Sequence, residues 1–414
     1  MLKTNKVIVV GAGAAGMMAA GIAAQNGADV TVIDKNKRPG RKLMITGKGR
    51  CNITNDCDTN TLIESVPKNG RFLYSAVNAF SSSDTISFFN DLGLKLKVER
   101  GNRVFPESDK AVDVVDTLFN FVKQNGCRFL NANCNSLLVE DNIIKGIVTE
   151  NGKTIFADAV ILATGGMSYP LTGSTGDGYR FAKEAGHTVV SPKASLVPLE
   201  SSDSFCKELQ GLTLKNVSIK VNDTTINKVI YSDFGEMLFT HFGISGPVIL
   251  SASSHMREMS GNRYNVSIDL KPALSIEQLD ARIQRDFAKF INKEIKNSLY
   301  ELLPHKLVPV VIKRCGIDPM ARCNQITKQE RQQLVQILKD FTVSIQDFRP
   351  IEEAIITSGG VSVNEINPKT MESKLVDGLF FAGELIDVDA YTGGFNLQIA
   401  FSTGYLAGIS ASRM

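Results

Sequence analysis

The sequence predicts an α/β fold: a parallel sheet with flanking helices, interrupted by an inserted unit of barrel-like β structure and helices. Three observations predict it. The chain opens with strand, helix and strand inside one βαβ unit of about 30 residues. Residues 196–270 then change to short alternating segments, and 275–340 to amphipathic helices. Strand-like apolar runs return after that, and Gly378-Leu-Phe-Phe-Ala-Gly383 leads into a C-terminal helix.

Taken in order, Lys6–Val10 reads as a buried strand, because Val7-Ile8-Val9-Val10 is β-branched throughout and ends at Gly11. Ala14–Asn26 reads as a helix closed by Gly27, and Asp29–Asp34 as a second strand. A βαβ unit this short predicts parallel strands and a right-handed crossover. Val7 to Ala24 carries no charge and follows Lys3 and Lys6, a superficial likeness to a signal peptide or membrane helix. Gly11, Gly13, Gly16 and Gly21 interrupt it, so strand, turn and helix explain it better. From 35 to 56 a basic, glycine-bearing loop with little periodicity is expected. Segments 71–80, 84–92 and 109–125 read as helices, and Cys127–Glu140 and Ile143–Phe156 as strands with short turns. Asp158–Leu162 is a strand running into Ala163-Thr164-Gly165-Gly166. Val217–Val221, Lys228–Tyr231, Met237–Thr240 and Tyr264–Leu270 read as antiparallel or barrel strands. Ser275-x-x-Gln278 and Thr327-x-x-Glu330 are capping boxes, whose side chains satisfy the orphan N–H groups of a helix start. The final helix is placed from near Asn396. The expected division is one α/β domain over 1–195 and 345–414, an inserted β domain over 196–272 and a helical subdomain over 273–344.

Composition excludes several classes. A chain of 414 residues with 43% apolar and 21% charged side chains is an ordinary globular protein. Its net charge of +3 predicts neither an obligate nucleic-acid binder nor an acidic tail. The seven cysteines are scattered without a C-x-x-C, and the four histidines lie far apart, a poor disulfide framework and a poor zinc site. Reduced thiols, a cytoplasmic location and no membrane segment are the expectations.

Gly11-Ala-Gly13-Ala-Ala-Gly16 fits G-x-G-x-x-G directly after a strand and at the start of a helix. The first glycine makes the turn, the second lets backbone approach a diphosphate, and the third lets helix pack on strand. The diphosphate then meets the free N–H groups of Gly13, Ala14 and Ala15 at the positive end of the helix. Asp34, ending the second strand, suits the hydroxyls of an unphosphorylated ribose, which disfavours NADP and leaves FAD and NAD. The C-terminus favours FAD. Thr392-Gly393-Gly394-Phe395-Asn396-Leu397 supplies a second nest of backbone donors at a helix start, suited to negative charge on the N1–C2=O edge of a reduced flavin.

The segment 35–50 carries Lys35, Lys37, Arg38, Arg41, Lys42, Lys48 and Arg50 and no acidic residue. It reads as a cradle for cofactor phosphates; an RNA-binding patch is the other reading, which the absence of aromatic residues for base stacking disfavours. Cys51 and Cys57 are separated by five residues rather than the four of flavin disulfide reductases, so a structural role is expected, with Cys51 near the flavin. His241, within Glu236 to Pro247 at a strand-to-helix junction, is either a proton donor or substrate anchor, or a histidine satisfied inside its own domain.

These residues resemble the bacterial BaiN/YhiN-like flavoproteins, which include aminoacetone oxidase and a bile-acid enone reductase. The resemblance spans nearly the whole chain. It is carried by Gly11–Gly16, by Gly40 through Asn55, by Ala163-Thr-Gly-Gly-Met-Ser-Tyr-Pro170 with Gly173-Ser-Thr-Gly-Asp-Gly178, and by Phe239 through Pro247 and Phe381 through Gln398. It implies a Rossmann-like FAD-binding domain of the glutathione-reductase type with a β-barrel-plus-helices domain capping the flavin. FAD would be bound non-covalently, its AMP half at Gly11, Gly13, Gly16 and Asp34 with Lys35 alongside. Arg41, Lys42, Thr46, Gly49, Arg50, Cys51 and Asn52, with Gly383, Glu384 and Gly393 through Leu397, would surround the rest, and Ala163 through Gly166 would close over the adenosine side.

The function expected is hydride transfer between flavin N5 and a small organic substrate, in the direction of reducing a C=C conjugated to a carbonyl. His241 and Tyr391 are the candidate acids. Oxidation of an amine with O₂ is the alternative, and a flavoprotein acting on RNA is the alternative of another class. No second G-x-G-x-x-G follows a strand, so NAD(P)H would bind only transiently at the flavin face, or another electron carrier would take its place.

Overall fold

A computed structural model describes residues 4–256 and 259–414 and divides the chain into two compact units, 1–195 with 351–414 and 196–350. In the first unit five strands form one parallel sheet. Its order is Leu379–Phe381, Ala159–Leu162, Lys6–Val10, Asp29–Asp34 and Arg128–Asn131. Numbered by their order in the chain, the strands run 3-2-1-4-5 across the sheet. Such a sheet binds nucleotides at the switch point, outside the carboxyl ends of the first and fourth strands. Gly11 and Ala163 directly follow those two strands, and a Cβ on Gly11 would lie 2.5 Å from the Ala163 carbonyl oxygen.

The strands are apolar on both faces because helices cover both sides; all four residues of Ala159–Leu162 are buried. The helices Ala14–Gln25 and Phe395–Ser412 carry no charged residue, are largely buried and pack on each other. Their backbones touch at Gly404 and Gly408, where a Cβ would fall 2.4 Å from Ala15 O and 2.5 Å from Ala19 O. Two three-stranded antiparallel sheets flank this core, Cys134–Glu140 with Ile143–Thr149 and Thr154–Phe156, and Thr54–Asn55 with Arg103–Pro106 and Leu96–Glu99. Val189–Ser195 pairs with Ile356–Val361. The stretch expected to be an open loop contains a short helix, Arg41–Ile45, and a 3₁₀ turn, Thr46–Gly49.

His187 is buried inside this unit. Its Nε2 lies 2.8 Å from Ser373 Oγ and its Nδ1 3.4 Å from Glu365 Oε2. Ser373 Oγ already accepts the N–H groups of Leu375 and Val376, so its own hydrogen goes to Nε2. Burial lowers the His187 pKa from its ordinary 6.5, against the pull of Glu365. The neutral ring is therefore favoured in the fold, and the unfolded chain takes up a proton first. Stability is full above about pH 6.5 and is lost as the pH falls through that value toward the folded pKa. The urea midpoint of this unit should fall between pH 7 and pH 5, and His187→Phe should flatten that part of the profile.

The second unit is a closed six-stranded barrel with helices. Its strands run Leu199–Ser201, Gly243–Ser245, Lys228–Phe239, Thr213–Asp223, Tyr264–Asp269 and Phe341–Phe348. Alternate residues such as Val217, Ile219, Val221, Val266, Ile268, Val343 and Ile345 fill it. The helices Ile276–Lys289 and Lys328–Lys339 begin at the two capping boxes and join the same core. Two boundaries differ from expectation. Lys228–Tyr231 and Met237–Thr240 belong to one strand, Lys228–Phe239, whose exposed middle from Ser232 to Phe234 hides the alternation. The chain returns to the first unit at Ile351 rather than 345, because Phe341–Phe348 completes the barrel.

Candidate active site

The fingerprint turn sets the geometry. Gly11 N–H donates to Ile33 O and Ala12 N–H to Asp34 Oδ2 at 2.7 Å, so the end of the second strand is tied to the turn after the first. Asp34 Oδ1 accepts from Asn36 N–H, which fixes the carboxylate beside the helix start. Gly16 has no room for a side chain, since a Cβ would lie 1.8 Å from Gly11 O. Gly13 is the opposite case: a Cβ there would meet no protein atom within 4 Å. The position intended for a diphosphate is open, and the position intended for packing is closed.

Two helices begin here without side-chain caps. Ala14–Gln25 starts after Gly13 and Phe395–Ser412 after Gly394, neither with a capping hydrogen bond, although Ser and Thr cap helices elsewhere in the chain. The first-turn N–H groups of Ala14 and Ala15, and of Phe395, Asn396 and Leu397, thus lack side-chain acceptors. Gly394 sits at φ 104° against Thr54, where a Cβ would fall 2.3 Å from the carbonyl oxygen. Asn55 Nδ2 donates to Gly393 O, and Thr54 Oγ1 donates to Gln398 Oε1 at 2.6 Å. Thr54 and Asn55, which follow the basic segment, thus join it to the start of the C-terminal helix.

Glu384 ties several of these stretches together. Its Oε2 accepts from Lys42 Nζ at 2.6 Å, and its Oε1 accepts from Thr357 N–H at 2.9 Å and Ser168 Oγ at 3.2 Å. Gly166 lies against this group, and Gly383 against Ala15. Fingerprint, Ala163 through Gly166, Lys42 and Gly383-Glu384 thus converge. Asn52 Oδ1 and Thr164 Oγ1 are buried without a hydrogen-bond partner, acceptors the chain itself leaves unfilled. Two uncapped helix starts, an acidic strand end and unfilled polar atoms fit a dinucleotide with a diphosphate and many hydroxyls.

Other predicted residues have partners of their own. Lys35 Nζ meets Asp177 at 2.7 Å and also Thr175 Oγ1, and Arg41 donates to Asn36 Oδ1. Arg50 is bound to Glu99 and Asp109 and lies over the Phe105 ring, so its charge serves the small three-stranded sheet. Thr46 Oγ1 donates to Leu43 O, and Gly49 ends its turn at φ 84°. Cys51 is fully buried with its thiol pushed up to about 12, and it and Cys57 are both free thiols. Asn396 clasps Ala390 from both sides, accepting its N–H and donating to its carbonyl, so its side chain shapes the loop around Tyr391.

Tyr391 is half-buried beside this helix start; burial, then the charge of Asp389, raises its phenol pKa above the ordinary 10. Asp389 is buried and accepts from Ser195 Oγ at 2.7 Å; burial raises its carboxyl pKa. Neighbouring Asp387 is paired with Lys68 and Asn69. In the second unit, His241 is exposed on a tight turn held by Thr240 Oγ1 and the Gly243 N–H, its ring edge-on to Phe242. Ser168, Thr357, Lys68 and Asp389 were missed as site residues. Ser168 and Asp389 lie inside the quoted motifs, but Thr357 and Lys68 carry no local signal.

A sequence model described as the HI0933-like protein Rossmann domain matches residues 5–410. A Clostridium scindens protein named 3-dehydro-bile acid delta(4,6)-reductase is 30% identical over 415 residues, 99% of each chain. An Escherichia coli K12 protein named ribosomal RNA dihydrouridine synthase is 32% identical over 403 residues, 96% of each chain. Among solved structures, a 3-ketosteroid delta1-dehydrogenase from Sterolibacterium denitrificans superposes with a TM-score of 0.51 at 14% identity, covering 99% of this chain and 100% of that one. That likeness shows the Rossmann-type FAD-binding fold. The chain belongs to the HI0933-like family and is an FAD-dependent oxidoreductase.

Proposed function

We propose that the protein reduces a carbon–carbon double bond conjugated to a carbonyl, with NAD(P)H as transient electron donor. One observation carries this reading: two near-full-length relatives bear names that describe one reaction class. A delta(4,6)-reductase of a 3-dehydro bile acid saturates a double bond conjugated to a ketone. Formation of dihydrouridine saturates the uracil double bond conjugated to its carbonyl. Bound FAD supplies the hydride chemistry, which belongs to the cofactor.

The chain's residues bind, orient and protonate. Gly13 through Ala15 and Asp34 would hold the ADP half, and Phe395 through Leu397 would offer N–H groups to the flavin pyrimidine edge. Hydride reaching the β-carbon leaves negative charge on the carbonyl oxygen and α-carbon. Tyr391, neutral by its raised pKa, gives the proton to the α-carbon, and the two-electron, two-proton balance closes.

The substrate favoured is a small enone. Most of the basic cluster at 35–50 is already neutralised, Lys35 by Asp177, Arg38 by Asp116, Lys42 by Glu384 and Arg50 by Glu99 and Asp109. Those pairs reduce the charge available there to a phosphate backbone. The relative named for ribosomal RNA supports a second reading, a uracil base in RNA, with the same chemistry and an RNA-binding surface elsewhere. Free thiols support a reducing, cytoplasmic setting. Among the described residues no helix is long and apolar enough to cross a membrane. Incubation with NADH or NADPH and either a 4-en-3-one steroid or uridine-containing RNA, followed by mass spectrometry, tests the proposal. A gain of two hydrogens on the steroid supports it; a gain on RNA alone moves the assignment to the second reading; no gain on either contradicts both.

A further inference from the structure

Glu384 sits where three separate stretches of the first unit meet, and each contributes a bond. The short helix Arg41–Ile45 supplies Lys42, whose ammonium bridges Glu384 Oε2 and Ser168 Oγ, both at 2.6 Å. The loop after the fourth sheet strand supplies Ser168, and Ile356–Val361 supplies the Thr357 N–H. The Thr357 side chain does a second job. Its Oγ1 accepts the N–H groups of Met167 at 2.8 Å and Ser168 at 3.2 Å, so it sets the loop that carries Ser168. Gly166 completes the cluster. A Cβ there would lie 2.4 Å from Thr357 Oγ1 and 2.6 Å from Glu384 Oε1, so these atoms fill the space a side chain would take. Ser168 and Thr357 are fully buried, and the Lys42 and Glu384 side chains are only 22% and 12% exposed.

We propose that Lys42, Ser168 and Thr357 are positioning residues for Glu384, holding its carboxylate in one orientation and charge-balanced as an acceptor for the cofactor. The inference rests on the FAD reading above. The physical argument has two parts. A poorly hydrated carboxylate needs a cation and N–H or O–H donors in place of water, and Lys42, the Thr357 N–H and Ser168 Oγ supply them. Removing one member of such a pair leaves the other charge uncompensated, whereas removing both leaves neither. Lys42 and Glu384 should therefore act on cofactor affinity as a coupled pair, not as two independent contacts.

The test measures the FAD dissociation constant of the full-length apoprotein by flavin fluorescence quenching. The proteins are the wild type, Lys42→Met, Glu384→Gln, the double variant, Thr357→Val and Thr357→Ser. Lys42→Met and Glu384→Gln should each weaken FAD by at least about tenfold, and the double variant by clearly less than the product of the two. Thr357→Val, which keeps shape but loses the acceptor, should weaken FAD, and Thr357→Ser should restore it. Additive losses in the cycle, or Thr357→Val binding FAD as the wild type does, would overturn the inference. A wild type that takes up no FAD would instead fell the cofactor reading on which it rests. Should Lys42→Met fail to fold, the Thr357 pair decides alone, because neither change alters charge or volume greatly.

Discussion

Gly13→Ala should leave the folded protein as stable as the wild type while weakening FAD by about 100-fold, a loss of ~2.7 kcal/mol. Gly16→Ala should do the reverse in cause, removing FAD because the fold itself is damaged. The backbone at Gly13 is extended, at φ −83° and ψ −166°, which alanine adopts freely, and its Cβ would meet no protein atom within 4 Å. The only thing a methyl group there can obstruct is a ligand approaching the helix start. At Gly16 the same methyl would overlap the Gly11 carbonyl oxygen at 1.8 Å, and the turn must open to admit it. Overpacking against rigid backbone should cost about 3 kcal/mol or more. Thermal melts of both apoproteins, read beside FAD titrations, separate the cases. Equal destabilisation by both changes would contradict the assignment of the open space above Gly13 to the diphosphate.

Tyr391→Phe should lower the rate of double-bond reduction by about 10²- to 10⁴-fold while leaving reduction of the bound flavin by NAD(P)H unchanged. The split follows from the role assigned: the phenol gives a proton to the substrate and takes no part in hydride delivery from the donor. Burial, reinforced by Asp389, raises its pKa above the ordinary 10, so it stays protonated at neutral and mildly alkaline pH. The reduction rate should therefore be flat from about pH 7 to pH 9 and fall only above pH 10. A rate that instead falls as the pH rises through the ordinary imidazole range would move the proton donor to a histidine.

The parts of this molecule legible in the sequence are those whose cause is local. The βαβ unit, the fingerprint turn and the two capping boxes each depend on residues within a few positions of one another, and all form as read. The inserted barrel was legible as a class because period-2 alternation survives in Thr213–Asp223 and Tyr264–Asp269. Its closure was not, since Leu199–Ser201 and Gly243–Ser245 are three residues each and too short to show a period. The site was legible as a set of motifs but not as a set of partners. Lys42 is 342 positions from Glu384, and Thr357 is 190 from the Met167 N–H it accepts. Arg50 marks the same limit from the other side. Its place among glycines suggested ligand contact, while Glu99 and Asp109, which hold it, are brought near only by the pairing of Leu96–Glu99 with Arg103–Pro106.

The central claim is that electrons pass from NAD(P)H through FAD to a conjugated double bond rather than from an amine to oxygen. Its most direct test reduces the purified holoprotein anaerobically with NADH or NADPH in a stopped-flow spectrometer, then mixes it in separate shots with a 4-en-3-one and with air-saturated buffer. The account predicts fast bleaching by one of the two donors, fast recovery of the flavin absorbance on the enone and slow recovery in air. Bleaching by aminoacetone but by neither nicotinamide, with fast recovery in air and none on the enone, would contradict it.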